Sequence, residues 1–106
     1  MSERRRTALR HEALETAANI LESAQACPWD ELTPAWAAQQ RLPESLLQQL
    51  PDNRLAVRVE TDPGRPLLKR VTVEIGWRLD DGLEARPVFL TSLFSARSAS
   101  LKGGQP

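Results

Sequence analysis

The chain has 106 residues, with 14 Lys+Arg against 14 Asp+Glu, 41% hydrophobic and 26% charged residues, the composition of one globular domain with one modest core. A formal charge of zero argues against a general nucleic-acid clamp, which needs a basic excess. A single cysteine excludes an internal disulfide or a cysteine-built zinc site, and no apolar run exceeds four residues, far short of a membrane span.

From Arg5 to Ala26 there is no proline or glycine. Leu14, Ala17, Ala18, Leu21 and Ala24 recur at helical spacing, with Ile20 widening the stripe, so a helix is expected over 5–26 with that face inward. Pro28 ends it, because the residue before a proline is pushed out of the helical region. A connector, 27–53, follows, punctuated by Pro28, Pro34, Pro43 and Pro51. Within it Thr33-Pro34 reads as an N-cap and first helical residue, and 43–50 as a second short helix, with Trp29, Leu32 and Trp36 wedged beneath.

After Pro51 the period drops to two. Leu55, Val57 and Val59 alternate with polar neighbours, as do Val71, Val73, Ile75 and Trp77. This is the pattern of antiparallel strands with one solvated face. Thr61-Asp62-Pro63-Gly64 reads as a turn in which the glycine takes a positive φ, and Asp80-Asp81-Gly82 as a second turn. A third strand over 87–95 could point inward either Val88, Leu90 and Phe94 or Phe89 and Leu93. Residues 98–106 read as a tail. The expected fold is α+β: one domain over 1–97, its long helix covering a three-stranded antiparallel meander with the sheet over 54–95. Leu21 and Val73 are expected to face each other across the core.

Chemistry is harder to find. His11, the only histidine, stands one helical turn before Glu15, without the second histidine of a zinc-protease motif. Cys27 falls at the helix C-terminus, where the dipole disfavours a thiolate. No spaced glycine cluster could cradle a phosphate. The reading is therefore of a non-enzyme with no catalytic residue, cofactor or metal. The candidate partner-binding residues are Arg58, Arg70 and Arg78, on the outer strand face with Glu60 and Glu74. Ser2-Glu3-Arg4-Arg5-Arg6 is the one charge run; it suits anionic headgroups or a nucleic-acid backbone, or is simply a solvated helix start.

Three stretches carry a family resemblance. Arg10–Glu22 ends in Ala13-Leu14-Glu15-Thr16-Ala17-Ala18-Asn19-Ile20-Leu21-Glu22, similar to the ALxxAxNxLE end of the pseudopilin helix. Lys69–Trp77 resembles the kxvxVxVxW strand of the same family, and Val88–Ser95 its VxLTxLxS strand. The chain thus resembles the globular domain of type IV pilins and type II secretion minor pseudopilins. The resemblance implies a structural subunit that assembles with other pilin or pseudopilin subunits, on the periplasmic or cell-surface side of a bacterial inner membrane. It also implies an apolar membrane-inserted segment upstream of Met1, which these 106 residues do not contain. The isolated domain is then expected to be monomeric. The alternative is a small cytoplasmic adaptor that uses the arginine-rich sheet face.

Overall fold

The computed structural model describes residues 3–79 and 81–96; the expected tail, 98–106, and Asp80 of the second turn lie outside them. Helix α1 runs Glu3–Ala26, a single 3-10 turn covers Trp29–Glu31, and α2 (Pro34–Ala38) and α3 (Glu44–Gln49) complete the connector. Strands β1 (Arg54–Asp62), β2 (Arg65–Gly76) and β3 (Val88–Ser95) form one antiparallel sheet in the order β1-β2-β3. The α+β architecture expected from the sequence is present.

Each element has a local cause. The 24 uninterrupted residues of α1 give a rod of about 36 Å at 1.5 Å per residue. Thr33 caps α2, its hydroxyl accepting the Trp36 N–H at 3.3 Å, while Pro34 spends the first helical position where no N–H is needed. Beyond α3, the Asn53 side-chain amide donates to the carbonyls of Leu47 (3.1 Å) and Leu50 (2.8 Å), satisfying groups the helix end leaves open. The β1–β2 turn is held by the Asp62 carboxylate, which accepts the Gly64 N–H at 2.9 Å. Gly64 does not take the expected positive φ; among the described glycines only Gly82 does, at +85°, in the turn between β2 and β3.

The sheet register separates its two faces. Leu55, Ile75 and Val88 stand in one cross-strand row, and Val57, Val73 and Leu90 in the next. Val71, Val73, Ile75 and Val88 are buried, whereas Phe89 and Leu93 are exposed, so the first of the two phases considered for β3 is the one adopted. The helices cover this inner face, α1 over β2 and β3 and α2 against β1.

The helix face differs from the expectation. Leu9, Ala13, Ala17, Ile20 and Ala24 are buried, while Leu14 is 39% exposed and Ala18 is exposed. Leu21 is only partly buried, at the border of the two core clusters, and Val73 is fully buried in one of them. Alanines sit on every side of α1, so apolar spacing alone could not fix its rotation. Packing fixed it: three alanines let the helix lie close on a surface of valine and isoleucine, while Leu14 and Leu21 moved to the flanks.

The core has two lobes. One gathers Leu9, Ala13, Ala17 and Ile20 with Leu42, Leu46 and Leu50 of the connector and Val73, Ile75, Trp77 and Val88 of the sheet. The other gathers Ala24, Leu32, Ala37, Val59 and Val71. Leu21, Trp36 and Val57 pack against both and join them.

Candidate functional site

The outer face of the sheet is largely open among the described residues, with Arg58, Glu60, Arg70, Phe89, Thr91 and Leu93 all exposed. Its rows read Ala56-Glu74-Phe89, Arg58-Thr72-Thr91 and Glu60-Arg70-Leu93 across β1, β2 and β3. Thr72, at the centre, is 5% exposed, and its hydroxyl lies 3.3 Å from that of Thr91 in a cross-strand hydrogen bond.

The sequence-predicted residues do not act as one cluster. Arg58 and Arg70 share this face. Arg58 pairs with Glu74 at 3.4 Å, and Arg70 stands opposite Glu60 in the register. Arg78 lies past the end of β2, where its guanidinium meets the Asp52 carboxylate at 3.6 Å and donates to the Gly82 carbonyl at 2.9 Å. A fourth arginine, Arg54, lies over Gly76 and pairs with Glu84 at 2.7 Å. A Cβ on Gly76 would come within 2.8 Å of that guanidinium, which would have to swing aside to make room. Exposed pairs of this kind contribute about 0–1 kcal/mol each. They leave the face mixed in sign.

Other features resolve into packing. Lys69 points inward from β2 and ties the connector to the sheet. Its Nζ donates to the carbonyls of Trp29 (2.7 Å) and Leu32 (2.8 Å) and lies 4.4 Å from the centre of the Trp29 ring. Sequence alternation assigns position 69 to the inner face without saying why a lysine stands there. Cys27 sits near this clasp, half-buried. Burial is the first cause holding its thiol above the ordinary range, the Glu31 charge adds to the rise, and Lys69 opposes it. The expected direction is found, with burial as the leading cause. His11 and Glu15 stand 3.9 Å apart, both well exposed. A groove of about 600 Å³ opens between α1 and β3, lined by Leu21, Cys27, Trp29 and Phe94. Among the described residues no three of His, Cys, Asp and Glu come together as a metal site, and no helix is long and apolar enough to cross a membrane.

No protein-family model matches the chain, and no curated protein or solved structure is similar enough to count as a match.

Proposed function

We propose that this chain is the globular part of a pilin-like structural subunit, which works by assembling with copies or relatives of itself. The observation that carries this reading is the geometry of α1. Its buried residues begin at Leu9, while Arg4, Arg5, Arg6, Thr7 and Ala8 are all exposed. The helix therefore overhangs the domain at its N-terminal end instead of finishing on the core. An overhanging helix can continue as an apolar stem, and burying such stems against one another is what drives a filament to form. In that arrangement Arg4, Arg5 and Arg6 lie where a stem leaves the membrane, and cations are favoured beside anionic headgroups. The three stretches similar to pseudopilins lie on α1, β2 and β3, the elements that build the contact between helix and sheet.

The adaptor reading has weaker support, because Arg58 and Arg78 already have carboxylate partners within the domain. A basic face for an acidic partner needs unpaired charge.

The test is the native N-terminus. Protein recovered from the membranes of its own cells and read by mass spectrometry should show an apolar segment of about 20 residues ahead of Met1. A native polypeptide that begins at Met1 and stays in the soluble fraction overturns the proposal.

A further inference from the structure

A second feature lies at the opposite corner from the α1–β3 groove, where the start of α1, the end of α3 and the β2–β3 connection meet. They border a half-open cavity of about 220 Å³. Its apolar lining comes from Leu9, Leu50, Trp77 and Ala85, all core residues that turn part of their surface toward it. Arginines surround the mouth: Arg6, Arg10, Arg78 and Arg86.

Accounting for these charges decides what the cavity suits. Arg10 donates to the backbone carbonyl of Arg86 at 2.7 Å, which pins the start of α1 to the segment before β3. Arg78 is engaged by Asp52 and by the Gly82 carbonyl. The one carboxylate lining the cavity, Glu84, is already paired with Arg54 at 2.7 Å. The guanidinium groups of Arg6 and Arg86 have no hydrogen-bond or ion-pair partner among the described residues. The domain thus has zero formal charge overall, yet it holds two uncommitted cations at the rim of an apolar hole.

We infer that this cavity binds a small amphipathic carboxylate, its apolar body against Trp77 and its anionic head between Arg6 and Arg86. The volume sets the size. At roughly 30 Å³ of liquid per water, 220 Å³ corresponds to about seven waters, below the usual range for a cofactor or drug-sized ligand. A phenyl ring or a branched aliphatic group fits. The charge sets the head, since guanidinium matches the planar, two-oxygen geometry of a carboxylate. Two sources carry this chemistry, a free acid and the C-terminal residue of a peptide chain. The inference goes beyond the pilin-like reading: it shares Leu9 and Arg6 with the overhang argument and otherwise uses residues at the end of α3 and in the β2–β3 connection, which play no part in the overhang.

The experiment titrates phenylacetate into the chain and follows the Trp77 indole N–H by two-dimensional NMR. Saturable movement of that resonance is expected, with phenylacetamide about tenfold weaker or worse, since it lacks the charge. Inorganic phosphate, charged but without the apolar body, should not displace phenylacetate. Arg6→Gln and Arg86→Gln should each weaken phenylacetate several-fold, and the pair together by more than tenfold. Both side chains are exposed, so thermal melts should match the parent, and Arg4→Gln serves as the charge-matched control. A peptide ending in a phenylalanine carboxylate is compared with its amidated form. If the carboxylate peptide binds more tightly than phenylacetate, the source is a chain terminus; if less tightly, a free acid. Equal binding of phenylacetate and phenylacetamide, competition by phosphate, or full affinity in the doubly substituted chain overturns the inference. So does the absence of any saturable shift at millimolar phenylacetate.

Discussion

Cys27 and Lys69 occupy one neighbourhood and have opposite consequences there. The Cys27 thiol is held above its ordinary value of 9.0 chiefly by burial, so the folded chain keeps that proton longer than the unfolded one. The sign follows directly. The contribution is complete below the unfolded value and is lost as pH rises through the folded one, so the chain should lose stability above pH 9. Cys27→Ala should flatten that part of the pH profile in urea denaturation, and at pH 8 iodoacetamide should alkylate the native thiol more slowly than the unfolded one. Equal alkylation rates would show that the thiol is not protected. Lys69 is the positive member of the pair. Lys69→Met keeps the aliphatic stem but removes two charge-assisted bonds to the Trp29 and Leu32 carbonyls and the charge over the Trp29 ring. Hydrogen bonds to charged groups contribute about 1.5–3 kcal/mol in protein settings. Because Lys69 is only half-buried, a loss of about 2 kcal/mol in unfolding free energy is expected from urea denaturation, seen as a lower midpoint. An unchanged midpoint would mean that the clasp forms without stabilising the fold.

At the level of elements, the rotation of α1 makes a sharp prediction. Ala17 is fully buried against the sheet, whereas Leu14 is 39% exposed. Ala17→Leu should overpack the contact and cost about 1–3 kcal/mol, while the nominally larger loss of side chain in Leu14→Ala should cost less than about 1 kcal/mol. The reverse order in chemical denaturation would restore the face read from apolar spacing. That face was the part of the fold least legible in the sequence. Strand phase was plain for β1 and β2 because Val57, Val59, Val71 and Val73 alternate with charged or polar residues. It was ambiguous for β3, where Phe89 and Leu93 compete with Val88, Leu90 and Phe94 and no charge marks the outside. The ends of α1 and of the short helices were legible because Pro28, Thr33-Pro34 and Pro43 act locally, through their own backbone geometry. Sites have no such local grammar. Arg58 and Arg70 were readable as neighbours because strand alternation places them together. The cavity bordered by Leu9, Leu50, Trp77 and Arg86 joins four distant segments that no periodicity connects. Lys69 was visible as a residue, but not as a clasp, since its partners are backbone carbonyls.

For the molecule as a whole, the question is whether the domain associates without an apolar stem. The fold is elongated, 51 × 30 × 20 Å, and β3 is an edge strand whose eight residues contain neither charge nor proline. Phe89 and Leu93 project from it, 57% and 55% exposed, onto the uncovered sheet face. Uncharged edges invite pairing with another chain. Two features oppose it: Glu74 lies beside Phe89 and Arg70 beside Leu93, so two copies meeting here would have to desolvate charge along with the apolar surface. Near the isoelectric point of about 6.6 net repulsion between copies vanishes, and it returns as the pH moves away. Sedimentation equilibrium at pH 8 in moderate salt should therefore report the monomer mass of 11.8 kDa at micromolar concentration. At pH 6.6 the average mass should rise with concentration. Leu93→Lys, which puts a charge on the exposed side of the edge, should abolish that rise and leave the unfolding free energy from urea denaturation within about 0.5 kcal/mol of the parent. A tight dimer at pH 8 that survives Leu93→Lys would place a permanent interface elsewhere in the domain, and would favour an adaptor that works as a dimer over a subunit whose assembly depends on a stem.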